Sequence, residues 1–199
     1  MIEASTVKKL RGEDLRDAVL QTALRLFSER GFFNTSIHDI RREAGVSIGA
    51  IYHHFGTKEK LARSLYDDLL SRMEGEIGAA VAAGRDCRSQ CHAVVRVLFD
   101  LAVKEPDMMD FVLMARHREF MHDATPICSS GPFSRMREVI EDGMAQGEIR
   151  EMDPWVAASA MFGGALRMMQ LQLDGVLQGD LMDRLDPVVD CGWRAVARG

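Results

Sequence analysis

Residues able to do chemistry are sparse in this 199-residue chain, and few of them sit at productive spacings. Cys87 and Cys91 are four apart, which on a helix leaves them about 40° from eclipsed at ~100° per residue. Such a pair can offer two thiolates to a soft metal, act as a redox couple, or be two inert buried thiols. His92 lies about 100° round from Cys91 and makes a poor third ligand. His117 and His122 fall about 140° apart and cannot share one helix face. Asp67-Asp68 and Glu141-Asp142 have the character of charges on solvated helix faces. None stands in an apolar setting that would shift it towards acid–base work. No nucleophile elbow, phosphate-cradling glycine loop or two-histidine zinc motif is present. The expectation is a protein that is not an enzyme and that uses no metal or cofactor.

Residues 35–61, TSIHDIRREAGVSIGAIYHHFGTKEKL, carry a different kind of chemistry. They divide into two short helical pieces around a glycine turn. Ile37, Ile40 and Ala44 of the first can meet Val46, Ile51 and Phe55 across that turn. Helices this short are marginal alone, since isolated helices below ~12–15 residues are unstable in water. They must be clamped by a longer neighbour. This is the build of a helix-turn-helix, in which the second helix puts its N-terminal residues into the major groove of DNA.

The elements that would position this segment are helical throughout. All five prolines (106, 126, 132, 154 and 187) lie in the second half, and no stretch alternates with the period of a strand. The spacing predicts a first helix over 13–30 with Leu15, Val19, Ala23, Leu24 and Phe27 on one stripe, stopped by Gly31. Short helices over about 36–44 and from Ser47 follow. A long helix from Lys58 to near Val81 has its stripe at Leu61, Leu65, Leu69, Met73 and Ile77. Further helices are expected over 86–104, 106–116, 133–146, 153–173 and 187–197. Asp153-Pro154 is a strong start, an N-cap followed by proline at the first helical position. The expected fold is all-α with about nine helices: a three-helix head over residues 1–57 and a helical domain over 58–199.

Composition bounds the class. Apolar residues make up 47% of the chain and charged residues 28%, so disorder in bulk is not expected. The N-terminal charges Glu3, Lys8, Lys9 and Arg11 leave no apolar stretch for a signal peptide, and no run reaches the ~18 apolar residues of a membrane span. Four scattered cysteines do not make a disulfide framework. A cytoplasmic protein without membrane contact is expected. The net charge of −5 argues naively against a nucleic-acid partner, but it is unevenly spread. Residues 1–60 hold ten Lys+Arg against eight Asp+Glu, a balance of +2, and the rest hold fifteen against twenty-two, a balance of −7.

Over residues 13–65 the chain resembles the TetR family of bacterial transcriptional regulators. The resemblance rests on Gly31-Phe32, Thr35, Asp39-Ile40, Ala44-Gly45-Val46-Ser47, Gly49, Ile51-Tyr52, His54-Phe55, Lys58-Glu59 and Leu61. Arg41 departs from it, standing where the family usually has alanine. Facing outward it would add charge near phosphates; facing inward it would displace the packing register by one position. The resemblance implies a homodimer on a palindromic site in double-stranded DNA, most simply a repressor released by a small apolar or amphipathic effector. Ser47, Ile48, Gly49 and Ala50 open the recognition helix, where small side chains allow close approach and Ile48 or Ala50 can touch thymine methyls. Ser47 can equally serve only as a cap. Tyr52 and His53 are expected at phosphates, with a half-buried core position as the alternative for Tyr52. Thr35, Ser36 and Lys58 sit at helix starts, where backbone N–H groups attract phosphate. Lys58 can also be a plain surface lysine.

Beyond about residue 65 the resemblance is architectural, and it implies a ligand-binding and dimerisation domain. Apart from Met1, all twelve methionines lie between residues 73 and 182. Methionine there is either core filler or the lining of an adaptable pocket. Phe99, Phe111, Met114, Phe162 and Leu166 are the candidate lining, with His117 as a polar handle. Gly163 and Gly164 in a long helix each cost roughly 1 kcal/mol relative to alanine and make a narrow face with Ala157 and Ala160. The family pairs its last two long helices across the dimer, so Ala160, Gly164, Leu171 and Trp193 are candidates for that seam. Close packing within one subunit is the alternative.

Overall fold

The computed structural model describes residues 12–115, 117–122 and 126–199. Among these residues there are nine α-helices and no strand, only an isolated bridge between Ile149 and Ala197. The helices are α1 (Glu13–Arg30), α2 (Ile37–Ala44), α3 (Ile48–Phe55), α4 (Lys58–Ala83), α5 (Cys87–Lys104), α6 (Pro106–Leu113), α7 (Gly131–Ala145), α8 (Pro154–Leu173) and α9 (Leu185–Val196). The described residues form two compact units. One comprises 12–66 with 117–122, and the other 67–115 with 126–199. The length of α4 is therefore shared between them.

In the first unit, α1 buries Leu15, Val19, Leu20, Ala23, Leu26 and Phe27. Leu24, expected on this stripe, is half-buried, and Leu26 takes the fully buried place. Both α2 and α3 pack on α1 and on each other. Their shared clamp is Ile37, Ile40, Ile51 and Phe55, all buried, with Ala44 and Val46 half-buried at its edge. Leu61, Ala62, Leu65 and Tyr66 of α4 are buried as well. Phe32 stacks on Phe120 with ring centroids 4.0 Å apart, and His117 lies against Tyr66 at 4.3 Å. These contacts explain why 117–122 belongs with the head although it is remote in sequence.

In the second unit α5 is central, packing against α6, α7, α8 and α9. It buries Val94, Val95, Leu98, Phe99, Leu101 and Ala102. Two glycines permit close crossings. A Cβ at Gly192 of α9 would overlap the Met161 carbonyl of α8, and one at Gly143 of α7 would overlap the Cys87 thiol of α5. Arg88 pairs with Asp190 at 2.7 Å and His92 with Asp186 at 2.8 Å, joining α5 to α9 at their exposed edges.

Helix starts differ from the sequence expectation where proline intervenes. Helix α7 begins at Gly131, two residues before Phe133, and α9 at Leu185, two before Pro187. The first four N–H groups of a helix have no intrahelical acceptor, so Pro132 and Pro187 fit inside the first turn without losing a bond. Helix α6 ends at Leu113, short of the expected 116, a position outside the described residues. No described helix is long and apolar enough to cross a membrane, and no described cluster of His, Cys, Asp or Glu could hold a metal ion.

Candidate nucleic-acid interface and effector cleft

Local chemistry fixes the two ends of the turn between α2 and α3. Ser36 and Asp39 cap α2 reciprocally: the Asp39 N–H donates to Ser36 Oγ at 3.1 Å, and the Ser36 N–H donates to Asp39 Oδ2 at 3.0 Å. The Ser36 hydroxyl and N–H bonds, with Arg42 at 2.8 Å, hold the Asp39 carboxyl down at about 2. Gly45 takes the left-handed conformation, φ 67° and ψ 27°, and its N–H closes α2 on the Arg41 carbonyl. Two residues later Ser47 caps α3, its Oγ accepting from the Ala50 N–H at 3.2 Å.

Helix α3 is anchored by one face and open on the other. Ile51 and Phe55, four apart, point into the clamp. Ser47, Gly49, Tyr52 and His53 are exposed, with Ile48 and Ala50 half-buried beside them. Tyr52 is 49% exposed, which places it on the surface and not in the core. Arg41 is exposed too, so the register of α2 stands. Glu43 accepts from both Arg25 and Arg30 of α1, the latter at 3.2 Å, so the acidic end of α2 is neutralised internally. Arg25, first, then Arg30 hold the Glu43 carboxyl below its ordinary range.

Two residues expected at phosphates are occupied elsewhere. Thr35 is 1% exposed, and its hydroxyl lies 3.1 Å from the Leu26 carbonyl and 3.0 Å from that of Gly31. Lys58 donates to the carbonyls of Phe32 and Thr35, 2.9 Å each, and its ammonium sits 4.0 Å above the Phe32 ring. Desolvation pushes its pKa down. Both side chains build the turn between α1 and α2. Ser36 remains exposed, with its hydroxyl turned to Asp39.

The second unit contains an open apolar cleft of about 160 Å³ between α7 and α8. Phe133, Met136, Phe162 and Leu166 line it, with Arg137 and Trp155 at its edge. Of the six candidate pocket residues only Phe162 and Leu166 come together there. Phe99 and Phe111 are fully buried core of the second unit, Met114 is half-buried at the end of α6, and His117 belongs to the first unit. The sequence signals for Arg137 and Trp155 were weak: one lies among several arginines, and the other directly follows the proline that starts α8.

On the outer side of α8, Ala160 and Gly164 are exposed, while Leu171 and Trp193 are half-buried. A Cβ on Gly164 would meet only Val188 Cγ1, at 4.0 Å, and one on Gly163 nothing within 4 Å. Close packing of α8 against α9 within the chain therefore falls to Gly192 and not to the Gly163-Gly164 pair. Cys87 and Cys91 are free and buried. The Cys87 thiol donates to the Val139 carbonyl at 3.4 Å. The hydrogen bond it shares with Cys91 lowers the Cys87 pKa and, with burial, raises that of Cys91, which is held as a protonated thiol.

Comparison with known proteins agrees with this geometry. Residues 19–65 match the family model for bacterial regulatory proteins of the tetR family, and residues 66–198 match that for the tetracyclin repressor-like C-terminal domain. A stretch of 85 residues is 34% identical to the HTH-type transcriptional repressor KstR2 of Rhodococcus jostii, covering 43% of this chain and 42% of that protein. A stretch of 83 residues is 36% identical to the regulator HbdR of Aromatoleum sp., covering 41% of this chain and 36% of that protein. The match thus spans less than half the length of these relatives. Among solved structures, the fatty acid degradation regulator FadR of Bacillus halodurans superposes with a TM-score of 0.79 at 21% identity, over 93% of this chain and 97% of that one. The FadR of Bacillus subtilis, solved in complex with stearoyl-CoA, gives 0.77 at 18% identity over 88% and 96%. At that identity the likeness is one of fold. With a helix-turn-helix head and family models covering residues 19–198 between them, the chain belongs to the TetR family of bacterial transcriptional regulators.

Proposed function

We propose that this protein is a cytoplasmic, dimeric repressor that reads a palindromic operator through α3 and leaves it when a small amphipathic effector binds the second unit. One observation carries the reading of DNA: α3 is pinned by Ile51 and Phe55 while Ser47, Gly49, Tyr52 and His53 stay open to a partner. Small residues at the start of the helix let the backbone approach base edges, with Ile48 and Ala50 available to thymine methyls. Tyr52, His53 and Arg41 are the outer contacts to phosphate. Ser36, Thr35 and Lys58 act through the turn they build, presenting the start of α2. Exposed Ala160 and Gly164, with Leu171 and Trp193, support a seam between two copies. KstR2 is named a repressor, and the Bacillus subtilis FadR holds an acyl-CoA; both fit a repressor with an amphipathic effector.

Release requires that the effector favour one dimer geometry over another, since equal affinity for both would shift nothing. Selection of bound DNA from a random library tests the reading. The expected product is a palindrome whose half-sites lie ~34–36 Å apart or at a multiple of that spacing. Equal retention of random DNA would indicate an architectural DNA-binding protein instead.

A further inference from the structure

Among the described residues no carboxylate pairs with Arg137, a residue that lines the cleft between α7 and α8. Its neighbour Arg135 takes Glu138 at 2.7 Å. Arg137 instead donates to the Cys128 carbonyl at 2.8 Å and to the Ser134 hydroxyl at 3.2 Å, and its guanidinium lies 4.0 Å over the Trp155 ring. These three contacts hold the fork in one place without neutralising it. A guanidinium carries five N–H donors, so donors remain for a further acceptor. Directly beside it opens the cleft of Phe133, Met136, Phe162 and Leu166. Trp155 forms part of the rim and is 51% exposed, an apolar surface left in water beside a fixed positive charge.

We propose that this cleft binds an amphipathic carboxylate, with the carboxylate on Arg137 and the hydrocarbon between α7 and α8. The inference rests on the effector-controlled regulator described above and names the effector's chemical class. Charge complementarity selects the anion: a carboxylate meets a planar fork with bidentate geometry, and partial removal of water at the rim strengthens the pair. Volume selects the chain. The cleft measures about 160 Å³, and an apolar cavity of ~150 Å³ accommodates a benzene-sized body. About six carbons are therefore enclosed, and octanoate is the natural probe.

Calorimetric titration of the full-length protein with octanoate, octanol, octyltrimethylammonium and octanoyl-CoA tests this. Saturable binding of octanoate is expected, at least tenfold tighter than octanol, with none by the cationic amphiphile. From butanoate to octanoate each methylene should tighten binding about fourfold until the cleft is full, which is ~0.8 kcal/mol per group. Arg137→Gln should erase the preference for octanoate over octanol, and Arg137→Lys should restore part of it. Quenching of tryptophan emission on binding, lost in Trp155→Phe, locates the ligand.

Equal affinity for octanoate and octanol, or an unchanged preference in a folded Arg137→Gln, would overturn the assignment. So would binding of octanoyl-CoA without octanoate, which moves the recognised anion to the phosphates. Binding that weakens as protein concentration drives dimer formation would show that a second copy covers the cleft, and would also overturn it. Octanoate that binds but leaves DNA affinity unchanged supports the site while removing its role as effector. Failure to retain any DNA sinks the regulator reading and leaves the binding result standing.

Discussion

Tyr52 shows how one residue's role depends on which side of a helix it occupies. Its neighbour Ile51 is buried, and Tyr52 itself is half in water. Tyr52→Ala is expected to weaken binding to all DNA sequences alike and to reduce the steepness of its salt dependence, measured by gel shift across a salt series. An effect confined to one sequence would make Tyr52 a base reader. Ser47→Ala should destabilise the head by about 1 kcal/mol through loss of the α3 cap, read from thermal melts. Asp39 provides a pH signature. Its folded carboxyl titrates at about 2, below the ordinary value of 3.8. Its contribution is complete above pH 4 and is lost as pH falls from there to about 2, because the unfolded chain takes up the proton first. Melts of the wild type and Asp39→Asn should converge over that window and diverge above it. Lys58 carries a warning for reading residues by type. A lysine at a helix start resembles a phosphate ligand in sequence, yet its ammonium is engaged by the carbonyls of Phe32 and Thr35. Nothing in the spacing of residues 32, 35 and 58 reveals that meeting.

Among the helices, α8 and α9 place small residues at two different kinds of surface. Gly192 faces the Met161 backbone, whereas Gly164 faces outward with only Val188 near it. Gly192→Ala should therefore destabilise the protein by about 1–3 kcal/mol, because a backbone carbonyl cannot step aside as a side chain can. Gly164→Ala should be neutral or raise the stability of the isolated chain by up to about 1 kcal/mol, as the helix loses a glycine. If α8 pairs with its mate in a second copy, the same Gly164→Ala chain should dimerise more weakly in analytical ultracentrifugation. Unchanged dimerisation would remove Gly164 from the seam. The helical boundaries themselves were readable: α1 spans the expected 13–30, and Asp153 caps α8 through the Trp155 and Val156 N–H groups at 2.9 and 3.0 Å. Caps and prolines act within a few residues, so their signals survive in the sequence. The early starts of α7 and α9 were missed because proline in a first turn looks like a boundary when it is only compatible with one.

On the scale of the molecule, charge follows the division of labour that the segments suggest. The head sequence is slightly basic and the rest is acidic, so the net −5 describes neither. The two compact units meet the family models at nearly the same place, within the length of α4. Residues 117–122 join the first unit through Phe120 and His117, which no local pattern foretells. By itself the sequence determined the all-helical class, the helix-turn-helix with its caps and glycine turn, and the family, because each depends on neighbours a few residues apart. Only the tertiary structure decided that Thr35 and Lys58 face inward, that Phe99 and Phe111 are core while Phe162 and Leu166 border a cleft, and that Arg137 stands beside that cleft on Trp155. Those placements join residues from different helices. Their side chains meet only when packing has set the distance and rotation of one helix against another, which short-range pattern does not encode.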